Sequence, residues 1–219
     1  MRGFFTGLED ERRAFMALAE QVKLAKGGVF FLENDPSHWA YYLEKGAVRI
    51  FRLCLQGKEP TFFIRGPGDM FGLAEVAGDE RRKCSAQAMA DCEVWRISRD
   101  RLLGLMAGRP GLALRVIEVL GQRLRSLGEQ LEAVMTCGVA ARLLRLLCAL
   151  SLEEVRPGGP PLEVELKLTQ EQLASMTGSC QQTVSETLAR LEAEGLIKCH
   201  RRGVTLVDPA GILRAVGRE

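Results

Sequence analysis

Residues 169–207, TQEQLASMTGSCQQTVSETLARLEAEGLIKCHRRGVTLV, read as two short helices that meet at a tight turn and run on into a β-hairpin. Thr169-Gln170-Glu171-Gln172 forms a capping box, in which the threonine hydroxyl and the Gln172 side chain satisfy two orphan backbone donors reciprocally. Leu168 and Leu173 stand at staple positions. Gly178 ends the first helix where a left-handed residue is needed. Ala174 is small enough for a close crossing, and Val184 returns an apolar side chain to the core, a pattern suited to two helices crossing over a short turn. A second capping box, Ser179-Cys180-Gln181-Gln182, opens the next helix, whose apolar face is Val184, Leu188 and Leu191 and whose stop is Gly195. Leu196-Ile197-Lys198 and Val204-Thr205-Leu206-Val207 flank Arg201-Arg202-Gly203, a hairpin with a basic tip. This is the outline of a winged helix-turn-helix, an element that reads double-stranded DNA. An ordinary helical hairpin in a metabolic enzyme does not require two capping boxes, a small-residue turn and a basic wing in one stretch.

Upstream, from about Val22 to Ile97, the chain is strand-like. Val29–Leu32, Trp39–Leu43, Ala47–Phe51, Thr61–Ile64, Cys84–Ala88 and Glu93–Ile97 recur at the spacing of a β-barrel or jelly roll, with turns at Gly46 and at Gly66-Pro67-Gly68-Asp69. An amphipathic helix, roughly Glu9 to Ala19, precedes it. A long helix starts near Pro110 and carries Ala113, Ile117, Leu120, Leu124, Leu127, Leu131 and Val134 at alternating spacings of four and three, an a/d seam along which two helices wind together. The alternative is that this stripe packs on its own barrel. Gly138 interrupts the helix before Val139–Leu147 resumes it, which makes it a hinge candidate. The expected architecture is α+β: an effector-sensing β-barrel (jelly roll) domain over 1–108, a dimerisation helix over 109–137, and a winged helix-turn-helix DNA-binding domain over 138–219.

Composition sets limits on function. No apolar run is long enough to span a membrane, and Met1-Arg2-Gly3-Phe4-Phe5 lacks a signal-peptide core, so the expectation is a cytoplasmic protein with no membrane partner. Seven cysteines with no C-x-x-C pair point to free thiols in a reducing compartment and to no metal site. The net charge is only +2, and Thr136–Glu219 balances ten Lys and Arg against ten Asp and Glu. DNA contact must therefore come from local clustering, as at Arg201 and Arg202. No Walker loop, H-E-x-x-H or G-x-S-x-G is present and there are two histidines, so an enzyme is not expected. A protein-interaction module that does not bind DNA is the competing class, kept open by the charge balance.

Barrel, dimer helix, hinge and winged helix-turn-helix in this order resemble the bacterial cyclic-AMP receptor protein/FNR (CRP/FNR) family of transcription regulators. The resemblance covers nearly the whole chain, and its most specific pieces are Leu43–Ile50, Gly68-Asp69-Met70-Phe71-Gly72, the seam, and Thr169–Gly195. It implies a homodimer through Ile117, Leu120, Leu124, Leu127, Leu131 and Val134, two recognition helices on a palindromic operator, RNA polymerase as a partner, and a small-molecule effector sensed by the barrel. The chain departs from the cyclic-AMP-binding members. Their Gly-Glu pair looks like Gly72-Leu73 here, their Arg-Ser/Thr-Ala looks like Cys84-Ser85-Ala86, and their polar dimer-helix positions look like Leu127-Gly128. Loss of that arginine removes the bidentate grip on a phosphate. Arg81, Arg82 and Lys83 are adjacent and could substitute after a loop shift, but three consecutive charges read as a solvated loop, so cyclic AMP is disfavoured. Gly72, Leu73, Ser85, Leu124 and Leu127 are the expected effector pocket. The first cysteine is Cys54, so an N-terminal iron–sulfur cluster has no ligands. Haem is the remaining cofactor alternative, as in the carbon-monoxide sensors, although the positions matching their ligands are Gly72 and Ala74 and the imidazoles are only His38 and His200.

For DNA, the first turns of the second helix offer Gln181, Gln182, Ser185 and Glu186 to base edges, where glutamine suits adenine and glutamate suits cytosine N4. Thr169, Gln170, Cys180, Thr183, Arg201 and Arg202 are expected on phosphates. Cys180, at the positive end of that helix, and Cys137, beside Gly138, are redox-switch candidates, against the alternative that each is a small buried hydrophobe.

Overall fold

The structure, a computed structural model, describes residues 3–54, 57–78, 80–154, 164–200, 203–208 and 212. Contact density divides the chain into two compact units, Met1–Ser126 and Leu127–Glu219.

In the first unit, helix α1 (Glu9–Leu18) leads into eight strands: β1 (Glu20–Leu24), β2 (Val29–Phe31), β3 (Trp39–Lys45), β4 (Val48–Phe51), β5 (Thr61–Arg65), β6 (Met70–Phe71), β7 (Ser85–Ala88) and β8 (Cys92–Ser98). They form two four-stranded antiparallel sheets, ordered β1-β8-β3-β6 and β2-β7-β4-β5, a jelly roll rather than one continuous closed barrel. Side chains alternate across each pleat, so every other residue points between the sheets. Leu43, Val48, Phe71, Ala86 and Val94 meet there, and Tyr41 stacks on Phe71 with ring centroids 4.9 Å apart. The turn between β3 and β4 requires Gly46, whose φ is +96° and whose missing Cβ would lie 2.6 Å from the Asp91 carbonyl oxygen.

The other faces of β3, β6 and β8 pack under helices. Phe5, Phe15, Met70, Ile97, Leu102 and Leu112 form this second cluster. Two helices here escape a sequence reading: the short α2 (Ala74–Gly78) and α3 (Arg99–Gly108), where Gly104 and Gly108 break up a helical apolar period. Helix α4 (Pro110–Thr136) follows. Its first turns are anchored to this cluster through Leu112 and Val116, and Arg115 donates to the carbonyls of Phe4 and Thr6, each at 3.1 Å.

In the second unit, α5 (Val139–Glu154) resumes after a break at Cys137-Gly138, and α6 (Gln170–Thr177) and α7 (Gln181–Ala193) pack on it. Strands β10 (Ile197–His200) and β11 (Gly203–Leu206) form the expected hairpin. A third strand, β9 (Val164–Leu166), pairs with β11 to give the order β10-β11-β9. Leu143, Leu144, Leu147, Leu173, Val184 and Leu188 are the buried centre.

Candidate nucleic-acid interface and sensory site

The first capping box forms as its sequence dictates. Thr169 Oγ1 accepts from the Gln172 N–H at 3.2 Å, and Gln172 Oε1 accepts from the Thr169 N–H at 2.8 Å. Gly178 then closes α6 in the left-handed region, at φ 62° and ψ 37°, and Ala174 and Val184 are buried at the crossing. The second capping box does not form. The N-cap is Cys180, with no side-chain cap bond. Ser179 instead shares a 2.8 Å hydrogen bond with Thr177, whose hydroxyl also donates to the Leu173 carbonyl. The buried Thr177 therefore draws off the serine that a local reading assigns to the helix.

Released from the cap, Gln182 donates to Glu186 Oε1 at 3.1 Å, one turn along α7. Gln181, Gln182 and Glu186 are exposed and Ser185 is half-buried, and Gln182 and Glu186 stand on the face opposite Val184, Leu188 and Leu191. Of the sequence-assigned base readers, Gln182 and Glu186 share one exposed face as a joined amide–carboxylate pair. Of the residues assigned to phosphates, Thr169 and Cys180 are exposed and Gln170 and Thr183 half-buried. Arg201 and Arg202 lie outside the described residues. The Cys180 thiol sits 3.1 Å from the Thr183 hydroxyl. That hydroxyl, then the backbone N–H groups of the first turn, hold the thiol below its ordinary value. In the wing, His200 Nε2 is engaged with the Thr205 hydroxyl at 2.9 Å.

A residue that sequence reasoning missed ties the helix break to the turn of the helix-turn-helix. Arg142, on the first turns of α5, donates from Nη1 to the Cys137 carbonyl at 2.9 Å and from Nε to the Thr177 carbonyl at 3.0 Å. Both acceptors are carbonyls at helix ends, which lack intrahelical partners. Gly138 has no neighbour within 4 Å of where a Cβ would stand, so sterics do not demand glycine there.

The seam of α4 stands out from its own protomer. Ile117 is 65% and Leu124 72% exposed, and Leu131 and Val134 are exposed as well. Leu127 is at the margin, and Leu120 alone among these six packs partly against the jelly-roll cluster.

The sensory side differs from the sequence expectation. Arg82 is not solvated but 1% exposed. An isolated bridge pairs Pro36 with Arg81, so the segment is locally extended and successive side chains alternate: Arg81 and Lys83 point out, and Arg82 points in. Its Nη1 donates to the Gly72 carbonyl at 2.9 Å and faces Glu75 Oε2 at 3.4 Å. Nη2 donates to the Trp39 carbonyl, and the guanidinium lies 4.1 Å over the Phe31 ring. Burial lowers its pKa, opposed by Glu75. Gly72, at φ +70°, leaves the room: a Cβ there would stand 3.0 Å from Arg82 Nη1.

Ser85 is buried nearby and accepts from the Glu33 N–H at 3.0 Å, whereas Leu73 is embedded in the cluster under the helices. Burial, then Glu75, push the neighbouring Cys84 thiol up to about 11. On α4, Arg123 donates to the Met70 carbonyl, and burial followed by the nearby Arg65 lowers it to about 10.

Among the described residues no three His, Cys, Asp or Glu side chains gather to hold a metal. The donors do not fit haem either. His38 is exposed at the edge of β3, His200 is committed to the wing, and Gly72 and Ala74 supply no ligand atom. Among the described residues no helix is long and apolar enough to cross a membrane.

Residues 21–109 match the model of the cyclic nucleotide-binding domain, and residues 139–215 that of the Crp-like helix-turn-helix domain. The chain is similar to the CRP-like cAMP-activated global transcriptional regulator of Mycobacterium tuberculosis, 30% identical over 215 residues that span 97% of this chain and 95% of that protein. It is also similar to the cyclic AMP receptor protein of Thermus thermophilus, 30% identical over 177 residues, 79% of this chain and 77% of that one. Among solved structures, a transcriptional regulator of the CRP family from Thermus thermophilus matches with a TM-score of 0.73 at 27% identity, over 90% of this chain and 96% of the other. A jelly roll that matches the cyclic nucleotide-binding domain, a long helix, a Crp-like helix-turn-helix and a relative aligned over nearly its whole length together make this chain a member of the CRP/FNR family of transcription regulators.

Proposed function

We propose that the chain acts as a cytoplasmic homodimer that binds a palindromic operator and works through RNA polymerase, under control of a signal received by the jelly roll. The observation that carries this reading is the exposed polar face of α7, set beyond a left-handed Gly178 turn with its apolar face fully buried. Gln181, Ser185 and the Gln182–Glu186 pair read base edges, and Glu186 directs the pair towards cytosine N4. Thr169, Gln170, Cys180, Thr183, Arg201 and Arg202 hold phosphates and set the register. Residues 109–137 supply the dimerisation helix between a sensory domain (1–108) and a DNA-binding domain (138–219). Ile117, Leu120, Leu124, Leu127, Leu131 and Val134 pair two copies, with Gly138 as the hinge and Cys137 and Cys180 as thiols open to oxidation.

The sensed molecule differs from the cyclic AMP that the names of the two relatives carry. At the matching phosphate position this chain has Cys84, and its buried arginine, Arg82, is already bound by Glu75 and two carbonyls. Support for a regulator rather than an enzyme comes from the relatives, which are named as transcription regulators.

The test is an operator selected from random duplex DNA with the purified protein, followed by affinity measured against salt. A dimer neutralising about eight phosphates gives a log–log slope near −7. A slope near zero, or no enriched sequence, sinks the DNA-binding reading in favour of a protein-interaction module.

A further inference from the structure

The outward row of α4 departs from the seam that the periodicity of its leucines assigns. Leu120 packs partly against the jelly-roll cluster, and Leu127, at 39%, is the least exposed large apolar side chain along the outer face. Leu114 and Met135, which lie outside that seam, are 61% and 76% exposed. Leu114, Ile117, Leu124, Leu131 and Met135 therefore form the row that faces out, with Val134 beside it. Its alternating steps of three and four close only if Gly121 and Gly128 fill the places on either side of Leu124. Both glycines lie well inside the helix, where glycine weakens the helical state about fivefold per site against alanine. Nothing among the described residues of the protomer requires them. At Gly128 nothing beyond the helix's own backbone lies within 4 Å of where a Cβ would stand. At Gly121 the nearest group is Arg125 of the same helix, at an ordinary contact distance of 3.6 Å.

We infer that a second copy of this chain covers this row, with the two α4 helices parallel and in register, and that Gly121 and Gly128 form the socket for the partner's Leu124. A knob at that place in a parallel pair enters a hole bordered by Gly121, Leu124, Arg125 and Gly128 of the facing helix. Glycine at two of the four corners deepens the hole and brings the two backbones to the short end of helix–helix separations. Knob and hole stand on one stretch of one helix, so the surface is complementary to itself, as a two-fold interface requires. A row that repeats roughly every 3.5 residues is matched by another helix of the same period. The helix-weakening effect of the two glycines is thus offset only in the pair. This rests on the homodimer proposed above and fixes its packing: Leu124 is the central knob, and Leu120 and Leu127 stand on the flank rather than in the seam.

The experiment measures association of the full chain by sedimentation over a dilution series, for the native protein, G121A, G128A, G121A/G128A and G121L/G128L. The control is G104A on α3, where a Cβ likewise meets nothing within 4 Å. Where a dimer is too tight to dilute apart, the rate of subunit exchange with a tagged copy reads the same point. Each alanine in the socket should weaken the dimer about tenfold, the two together about a hundredfold, and the two leucines more, with G104A leaving association unchanged. Trp39 and Trp95 lie in the β1-β8-β3-β6 sheet, so unchanged intrinsic fluorescence separates loss of pairing from loss of fold. Glycines that merely face solvent give the opposite sign. Alanine then stiffens α4 and leaves the dimer unchanged or tighter, and leucine at both places builds an ordinary zipper and tightens it further. Either result overturns the socket and leaves the homodimer standing, whereas a native chain that sediments as a monomer overturns both.

Discussion

The thiols of Cys84 and Cys180 are shifted in opposite directions, for physical reasons that differ. Cys84 lies beside Glu75, where burial first and the carboxylate second disfavour a thiolate. Cys180 stands exposed at the start of α7, where the Thr183 hydroxyl and the first-turn N–H groups stabilise one. Iodoacetamide labelling followed by mass spectrometry across pH should therefore mark Cys180 first and leave Cys84 unmarked until the pH nears 11, and Thr183→Val should slow Cys180. Simultaneous labelling of the two would contradict the assigned environments. The Cys84 shift also has a sign for stability. The folded chain holds that proton more tightly than the unfolded one, so stability is complete below about pH 9 and declines as the pH rises from there towards 11. Neither environment was legible from the sequence in full. The helix-start position of Cys180 is local and could be read, whereas Arg82 and Cys84 depend on a single bridge, Pro36 to Arg81, which turns the middle of three charges inward.

At the level of single elements, the division between what could and could not be read follows the range of the interactions. The α6 cap needs only residues 169–172 and a glycine at 178, and it forms as written. The α7 cap fails because Thr177, buried by tertiary packing, takes the Ser179 hydroxyl. Strand β9 escapes notice because its partner β11 is some forty residues away, and three residues of alternation are too few to signal a strand alone. Thr169→Ala removes the half of the capping box in which the hydroxyl accepts from the Gln172 N–H, leaving the Thr169 N–H to Gln172 bond, and should cost about 1 kcal/mol. Hydrogen exchange on the full chain checks this: amides of the first turn of α6 should exchange roughly fivefold faster, with those of β3 and β8 unchanged. Unchanged exchange in α6 would mean that packing of Leu173 and Ala174 alone holds the helix.

At the scale of the whole molecule, the α4 seam is the feature that the sequence periodicity located most completely, because a repeat over three heptads is insensitive to any single contact. Ile117, Leu124, Leu131 and Val134 of this seam are exposed, which is unfavourable in water unless a second copy covers them. Each is worth about 1.5–3 kcal/mol when buried, and each is counted twice in a two-fold dimer. Leu124→Glu with Leu131→Glu should therefore give a folded monomer by sedimentation, with unchanged tryptophan fluorescence and operator affinity lowered at least a hundredfold. A variant that still sediments as a dimer would place the partner surface elsewhere. What the periodicity could not show is that the helix also faces inward: Leu112 and Val116 belong to the jelly-roll cluster and Leu120 packs partly against it, while Ile117, Leu124, Leu131 and Val134 are exposed.

The pairing of Glu20 with Arg96 and of Val29 with Gln87 has a consequence for how the protein is made. A ribosome adds roughly 5–20 residues per second, so β1 waits roughly 4–15 s before β8 has been synthesised. During that interval the nascent chain carries unpaired strand edges and apolar strands such as β2 and β3, surfaces that invite chain-to-chain pairing. The first unit is thus the stretch of this protein most dependent on chaperone protection at birth, and slow synthesis up to Ser98 is the condition under which its yield should suffer most.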